Sequence, residues 1–434
     1  MTNYNMTVDY NPAMQLKKVL IVGNGAREHA LITKIKESPM LDKVYTTNSN
    51  FGQFAEYLDT NLENYLYTSA TCKTEGIDLV VIGQEEHLAR GITDALTAEG
   101  IPVFGPTKNA AKLESSKFFA KEIAEMNGIP VARYSFCSSI NNLKKQIENI
   151  GSFPLVIKAD GLASGKGVIV CETMGEALEA GEAMLNGLFG EAGRNIIIEE
   201  FLYGQELSYF VLVDGQTILP IGHARDHKQI SYNGKKYNTG GMGAYSPVLL
   251  SKKTEQEILG KIVYPTINAL SAINVQYKGV LFAGLMLTNS GPKLLEYNVR
   301  FGDPETQAIL PRLNADLLDL MLKTLDGGLD RATISFKKEV CMSVVLATRG
   351  YPVSYETGYR IDNIEKALQS VEGLQILNAA VRYDAEGRMI SNGGRVLNLV
   401  VSAPTLLECK RKVKRGLELI DWKEGVYLDE LVVV

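Results

Sequence analysis

Lys158-Ala159-Asp160-Gly161-Leu162-Ala163-Ser164-Gly165-Lys166-Gly167 is the stretch on which the reading of the fold turns. Apolar runs flank it, residues 154–159 before and 167–171 after. The pattern is close to a Walker A loop, but one residue is missing between Gly161 and Gly165, and Gly167 stands where a Ser or Thr would meet magnesium. A strand follows, where a P-loop has a helix. Two strands around a loop predict an antiparallel hairpin instead. Glycine is costly in a turn that needs only a reversal. Its recurrence around Lys158 at the base and Lys166 near the tip therefore predicts a flap that folds over a triphosphate and neutralises it. The competing reading is a basic surface hairpin without a ligand.

Upstream of the hairpin, strands and helices alternate. Residues 18–22 form a short apolar run ending in Gly23-Asn24-Gly25, and residues 27–35 have helical spacing. Residues 44–47, 78–83 and 103–105 read as further strands. Continuous apolar strands separated by helices predict a doubly wound parallel sheet covered on both faces. One long amphipathic helix is expected from Thr107 to Asn127, stopped by Gly128. Downstream, a helix is expected at 174–185 and a strand at 196–201. Paired strands at 206–220 bracket the turn Asp214-Gly215, and strands at 280–287 and 293–298 bracket Asn289-Ser290-Gly291-Pro292. The tail reads as a separate α+β piece, with strands at 340–347 and 396–402 and a closing helix at 405–420.

Length and composition agree with several packed units. The 434 residues predict roughly two to four domains. The expected division is 15–115, 116–325 with a small lid lobe at about 130–200, and 326–434. Lys and Arg number 45 against 50 Asp and Glu, a formal charge of −5 read as evenly spread, so nucleic acid is not an expected partner. The five cysteines are scattered and odd in number, which argues against a disulfide framework and favours a reducing compartment. No run reaches the ~18 apolar residues that cross a bilayer, so no membrane association is expected. The first eighteen residues read as a polar leader, with Met14 as an alternative start.

Four further stretches carry chemistry. Gly23-Asn24-Gly25-Ala26-Arg27-Glu28-His29 is a glycine-rich strand-to-helix turn that aims backbone N–H groups at an anion. A dinucleotide turn wants a third glycine where Glu28 stands, so a smaller phosphate-bearing ligand is preferred to NAD. A plain turn with a solvated first helical turn is the alternative. In Ile198-Glu199-Glu200-Phe201-Leu202, a strand edge offers backbone groups to an adenine, and a carboxylate further on suits a ribose. Glu296, Asn298 and Arg300 share one strand face. Two oxygen donors beside a guanidinium suit Mg²⁺ bridging phosphates, against the alternative of a cross-strand salt bridge. Asp226-His227-Lys228 and Asn238–Pro247 add a carboxylate for an amine and a cluster of close-approach glycines, while His227 is read as structural.

Taken together, these stretches resemble the ATP-grasp superfamily and, more narrowly, its phosphoribosylamine–glycine ligase (glycinamide ribonucleotide synthetase) family. The resemblance rests on Gly23-x-Gly25-x-Arg27-Glu28-His29, Gly105-Pro106-Thr107 leading to Ser116-Lys117, the 158–167 loop and Ile198-Glu199-Glu200-Phe201-Leu202. It rests equally on Asp226-His227-Lys228, Asn238–Pro247 and Glu296-x-Asn298-x-Arg300-Phe301-Gly302-Asp303-Pro304-Glu305. It runs from about Lys18 to the end, and the last two stretches are its most specific part. Ala26 departs from the family's usual glycine, and Phe282-Ala283-Gly284-Leu285-Met286 lacks an acidic metal ligand found in many relatives.

The resemblance implies an α/β and α+β multidomain chain: a doubly wound N-terminal sheet, a two-lobed ATP-grasp centre and a small α+β C-terminal domain. It implies a cytoplasmic, monomeric ADP-forming ligase of purine biosynthesis that joins glycine to 5-phosphoribosylamine. Lys117, Lys158 and Lys166 would meet the phosphates of ATP, residues 199–202 the adenine and Glu206 the ribose. Glu199, Glu200 and Leu202 are thus expected nucleotide residues, and Glu296 and Asn298 the ligands of Mg²⁺ or Mn²⁺. Gly25, Arg27, Glu28 and His29 would hold the phosphoribosylamine. Arg300 and Asp226 would act at the glycine and acyl-phosphate end, lined by Gly241, Gly302, Asp303, Pro304 and Glu305. Two rivals are another acyl-phosphate-forming enzyme of the superfamily and a paralogue that binds ATP without turnover; the 238–247 and 302–305 stretches disfavour the first, and the retained lysines and Glu296 the second.

Overall fold

The computed structural model describes residues 16–433, Ser164 and Asn233 excepted, so residues 1–15 of the expected leader lie outside the described residues, while Lys17 and Lys18 open the first strand. The N-terminal sheet is parallel, built from β1 (Lys17–Val22), β2 (Leu41–Thr46), β3 (Glu56–Tyr57), β4 (Leu79–Ile82) and β5 (Val103–Phe104). Its order is β3-β2-β1-β4-β5. The unbroken apolar run of β1 has a simple cause. Leu20 and Val22 join one hydrophobic cluster, while Val19 and Ile21 join another on the opposite face. Both faces are covered, as the run predicted. The order reverses between β1 and β4, and the crevice at their carboxyl ends is where open α/β sheets bind ligands.

The expected long helix is instead two. A short turn of helix, Lys112–Ser115, is broken at Ser116, and a second helix runs Lys117–Met126. Ser116 is extended (φ −138°, ψ 108°) and its hydroxyl accepts the Phe119 N–H at 3.2 Å. Asp160, at the base of the glycine hairpin, accepts the Phe118 N–H at 2.8 Å and the Ser116 hydroxyl at 3.2 Å. A Ser cap reinforced by a carboxylate satisfies orphan N–H groups of a new helix, so breaking here is cheap. The sequence pattern carried the Ser but not the distant Asp.

The hairpin belongs to a four-stranded antiparallel lid of β6 (Tyr134–Cys137), β7 (Leu155–Ala159), β8 (Val168–Cys171) and β9 (Ile196–Glu200), ordered β6-β9-β7-β8. Residues between β7 and β8 overhang the centre. The large sheet begins with β10 (Gln205–Asp214) and β11 (Ile218–Asp226), followed by a hairpin of β12 (Gln229–Tyr232) and β13 (Lys235–Asn238). It continues through β14 (Gly243–Ser246), β15 (Lys278–Thr288) and β16 (Gly291–Asn298).

The tail has a core of its own, but its sheet is continuous with the large sheet. Its strands β17 (Val340–Thr348) and β18 (Leu374–Asn378), the small hairpin β19 (Val381–Tyr383) and β20 (Met389–Ser391), and then β21 (Arg395–Ala403) and β22 (Gly425–Val426) complete the chain's strands. One sheet runs β16-β15-β10-β11-β14-β17-β21-β18, with β22 on β17. The bridge is β14, which pairs β11 on one side and β17 on the other. The charge is also less even than expected. Lys410, Arg411, Lys412, Lys414 and Arg415 cluster on the helix Leu406–Leu419, where Lys410 and Lys412 donate to the carbonyls of Val433 and Glu372. Among the described residues no helix is long and apolar enough to cross a membrane.

Candidate active site

A cavity of about 1000 Å³ opens between the N-terminal sheet, the lid and the large sheet. At one end Leu202, Met286 and Leu295 form an apolar wall, and residues 201–204 leave the sheet where β9 stops pairing. This slot suits a flat base. Glu206 lines the cavity beyond it and is exposed, with room for a hydroxyl-bearing ring.

The carboxylates of the expected nucleotide stretch are spoken for. Glu199, 2% exposed, lies between Lys121 Nζ at 2.8 Å and Lys158 Nζ at 2.7 Å. Burial opposes its charge, but the two ammonium groups hold it below the usual carboxylate range. Glu200 accepts from the Arg133 N–H at 3.0 Å and pairs with Lys293 at 3.2 Å. Both residues line the cavity with their carboxylates already paired to protein cations. Lys121 escaped the sequence reading, although it stands one helical turn after Lys117 and therefore on the same face.

Lys117, Lys158 and Lys228 converge on Glu296. Lys228 Nζ is 3.7 Å from Glu296 Oε1. Burial disfavours a charged Glu296, yet Lys228, Lys117, Lys158 and Arg300 together hold its pKa down. Lys117 itself is depressed by burial. Asn298 sits two residues on, and Gly284 of β15 faces Glu296 across the ladder. Among the described residues no group of three or more His, Cys, Asp or Glu is disposed for a metal. The donor set here is one ionised carboxylate and one amide oxygen, which fits Mg²⁺ carried in with phosphates and water, not a cation caged by protein alone.

Lys166 does not join this cluster. It is exposed, and the wall at that point is formed by Gly165 and Gly167. Arg300 lines the cavity but its fork is occupied: Nε lies 3.0 Å from Glu85 and Nη2 3.0 Å from Glu114. Burial penalises charge on both acids. Arg300 overcomes that penalty at Glu85, held down to about 2, but not at Glu114, pushed up to about 7. The guanidinium is thus engaged by two acids from the N-terminal layer, a pairing with no local signature.

At the amino-terminal turn, Gly25, Arg27 and Glu28 line the cavity. Glu28 is fully buried and caps its own helix, accepting the Gly25 N–H at 2.6 Å and pairing with Arg27 Nε at 2.6 Å. Arg27 also donates to the Phe301 carbonyl at 3.1 Å, tying this turn to the far side. A side chain on Gly23 would meet the Glu28 carboxyl within 3 Å, so Glu28 fills the crevice between β1 and β4 that a dinucleotide would need.

His29 is elsewhere. Its Nδ1 accepts the N–H of Asn378 at 2.8 Å, and its ring packs on Phe54. Burial lowers its pKa to about 3, so it is a neutral structural group. In the unfolded chain it binds a proton below pH ~6.5, while the native state refuses it until about pH 3. Stability is therefore lost as pH falls across that window, at up to about 1.4 kcal/mol per pH unit from this site. A His29→Gln variant is expected to flatten the pH dependence of the urea midpoint between pH 6 and 4; an unchanged slope would contradict this assignment.

At the other end, Asp226 Oδ1 is buried and has no hydrogen-bond partner among the described residues, and burial together with Glu305 raises its carboxyl well above the ordinary range. Glu305 accepts from Ser208 Oγ at 2.9 Å. Asp303 and Glu305 line the cavity, whereas Gly302 and Pro304 lie behind them. Gly241 also lies behind the wall, which Gly240 provides. It has φ 115°, and a Cβ there would press on Pro304 and lie 2.8 Å from Asp226 Oδ1. Arg395, from the tail, lines the same end and had no place among the expected residues.

Known proteins resemble this chain over nearly its whole length. Models of phosphoribosylglycinamide synthetase match in chain order: the N domain at residues 17–114, the ATP-grasp (A) domain at 115–306 and the C domain at 341–428. The chain is 42% identical over 417 residues to the phosphoribosylamine–glycine ligase of Brucella melitensis, covering 95% of this chain and 97% of that one. The crystal structure of the Thermotoga maritima phosphoribosylamine–glycine ligase superposes with a TM-score of 0.80 at 31% identity, covering 94% and 98%. The biotin carboxylase domain of Hydrogenobacter thermophilus 2-oxoglutarate carboxylase, solved with MgADP and bicarbonate, shares the fold at 16% identity (TM-score 0.71, covering 95% and 92%).

Proposed function

The chain belongs to the phosphoribosylglycinamide synthetase family, and from that membership we propose that it joins glycine to 5-phosphoribosylamine with cleavage of ATP to ADP. The glycine carboxylate attacks the γ-phosphorus, ADP leaves, and glycyl phosphate forms. The amine of phosphoribosylamine then attacks the acyl carbon, phosphate departs with the bonding pair, and the amine loses a proton to give glycinamide ribonucleotide.

One observation supports the reading: a single cavity brings Lys117, Lys158 and Lys228 together with Glu296 and Asn298, Lys228 Nζ standing 3.7 Å from Glu296 Oε1, between the apolar slot at Leu202 and Met286 and the acids Asp226 and Glu305. Lysines beside one carboxylate and one amide oxygen suit a phosphate chain that carries its own magnesium. The adenine lies against Leu202, Met286 and Leu295, and the ribose at Glu206. Lys117, Lys158 and Lys228 face the phosphates, and Lys166 meets them only as the flap closes. Glu296 and Asn298 would hold the magnesium that accompanies the nucleotide; when bound, it supplies neutralisation of phosphate charge. Asp226 and Glu305 receive the glycine ammonium, and the turn at Gly25–Glu28 receives the phosphoribosylamine. No protein nucleophile is required, since positioning and charge neutralisation carry such transfers. Five unpaired buried cysteines suit a reducing cytoplasm.

The test is ADP release with ATP, glycine and phosphoribosylamine generated in situ, each omitted in turn. Release is expected only with all three. ADP formation indifferent to glycine would overturn the proposal.

A further inference from the structure

Arg395 stands at the start of β21, 155 residues from Gly240 in sequence, and ties together two loops of the cavity. Its Nη1 donates to the carbonyls of Gly240 (2.9 Å), Gly241 (3.3 Å) and Asp303 (2.8 Å). Its Nη2 lies 3.3 Å from the Asp303 carboxylate. Tyr351, also from the tail, accepts the Gly240 N–H at 3.2 Å through its hydroxyl. The Gly240-Gly241 backbone is therefore gripped between two side chains of the tail. That backbone is the floor under Asp226: Gly241 abuts the Asp226 carboxyl, and a Cβ on Gly240 would stand 3.1 Å from the Arg395 guanidinium carbon.

Three carbonyls and one carboxylate, supplied by two loops, need a planar, multi-donor cation. An ammonium is a compact charge and does not span them. We infer that Arg395 is a positioning residue for the amino-acid end of the cavity. It sets the spacing between the Gly240-Gly241 floor and the Asp303 turn, so that Asp226 and Asp303 present their carboxyl groups at fixed separation. This rests on the ligase reading above. Among the described residues, the polar contacts of Arg395 are to Gly240, Gly241 and Asp303, not to the nucleotide end around Lys158 and Leu202.

The experiment uses the full-length chain and steady-state ADP release, with glycine and ATP varied separately for the parent, Arg395→Ala and Arg395→Lys. Arg395→Ala is expected to lower kcat/KM for glycine about 100-fold, as displacement of a reactant by about 1 Å does. The KM for ATP is expected to stay within about threefold. Arg395→Lys, which keeps charge without the fork, is expected to recover less than about tenfold. Guanidinium chloride at non-denaturing millimolar concentration is expected to restore Arg395→Ala more than it helps the lysine variant. The inference falls if Arg395→Ala keeps glycine kcat/KM within about threefold of the parent. It falls equally if glycine and ATP parameters decline together and guanidinium restores neither, because Arg395 is then a strut of the fold. A parent enzyme that releases ADP without glycine would sink the ligase reading itself, an outcome distinct from either.

Discussion

Glu296→Ala is expected to cut turnover by about a thousandfold or more while leaving the far-ultraviolet circular dichroism unchanged. The side chain pairs with Lys228 at 3.7 Å and is held ionised by nearby cations, so its removal deletes the anchor for a phosphate-bound cation and leaves Lys228 without its paired carboxylate. Loss of one preorganised electrostatic partner in a closed site commonly costs about a hundred- to a thousandfold, and loss of a metal's charge adds several kcal/mol. Glu296→Gln keeps the size and removes only the charge, so it is expected to fall nearly as far. ADP release at saturating Mg²⁺ measures both. Activity within about tenfold of the parent at millimolar Mg²⁺ would place the metal elsewhere.

The largest stability effect is expected at Glu199. It is nearly inaccessible and lies within 2.8 Å of two ammonium groups. Glu199→Ala leaves Lys121 and Lys158 buried with no counter-ion, a situation that costs roughly 3–5 kcal/mol. Urea unfolding, followed by fluorescence and circular dichroism together, measures the loss. Replacing Lys121 and Glu199 jointly by Met and Leu is expected to cost less than the sum of the single changes, because fewer charges remain uncompensated. A Glu199→Ala protein within about 1 kcal/mol of the parent would show that water reaches these lysines freely.

Elements whose cause is local were legible from sequence, and those whose cause lies far along the chain were not. The strand at residues 17–22 announced itself because both of its faces are buried, and the β7–β8 hairpin because glycine and lysine have few structural reasons to alternate there. The helix break at Ser116 needed Asp160, 44 residues downstream, before a capping serine became a boundary. His29 sat in a stretch that names a ligand site, but its nitrogen was claimed by Asn378, 349 residues away. The same distance problem hid Arg395 and the two acids that occupy Arg300. Lys121 was different: its one-turn spacing from Lys117, which puts both on one helix face, is local and visible in the sequence.

The seam at β14 has a practical side. Only four residues long, Gly243–Ser246, it is hydrogen-bonded to the catalytic half by one edge and to the tail by the other. Severing the gene between them would give each fragment a raw strand edge, a ready template for aggregation. Anyone seeking a minimal nucleotide-binding fragment has to rebuild that edge with charge or proline, because snipping off the tail removes half of a shared zipper.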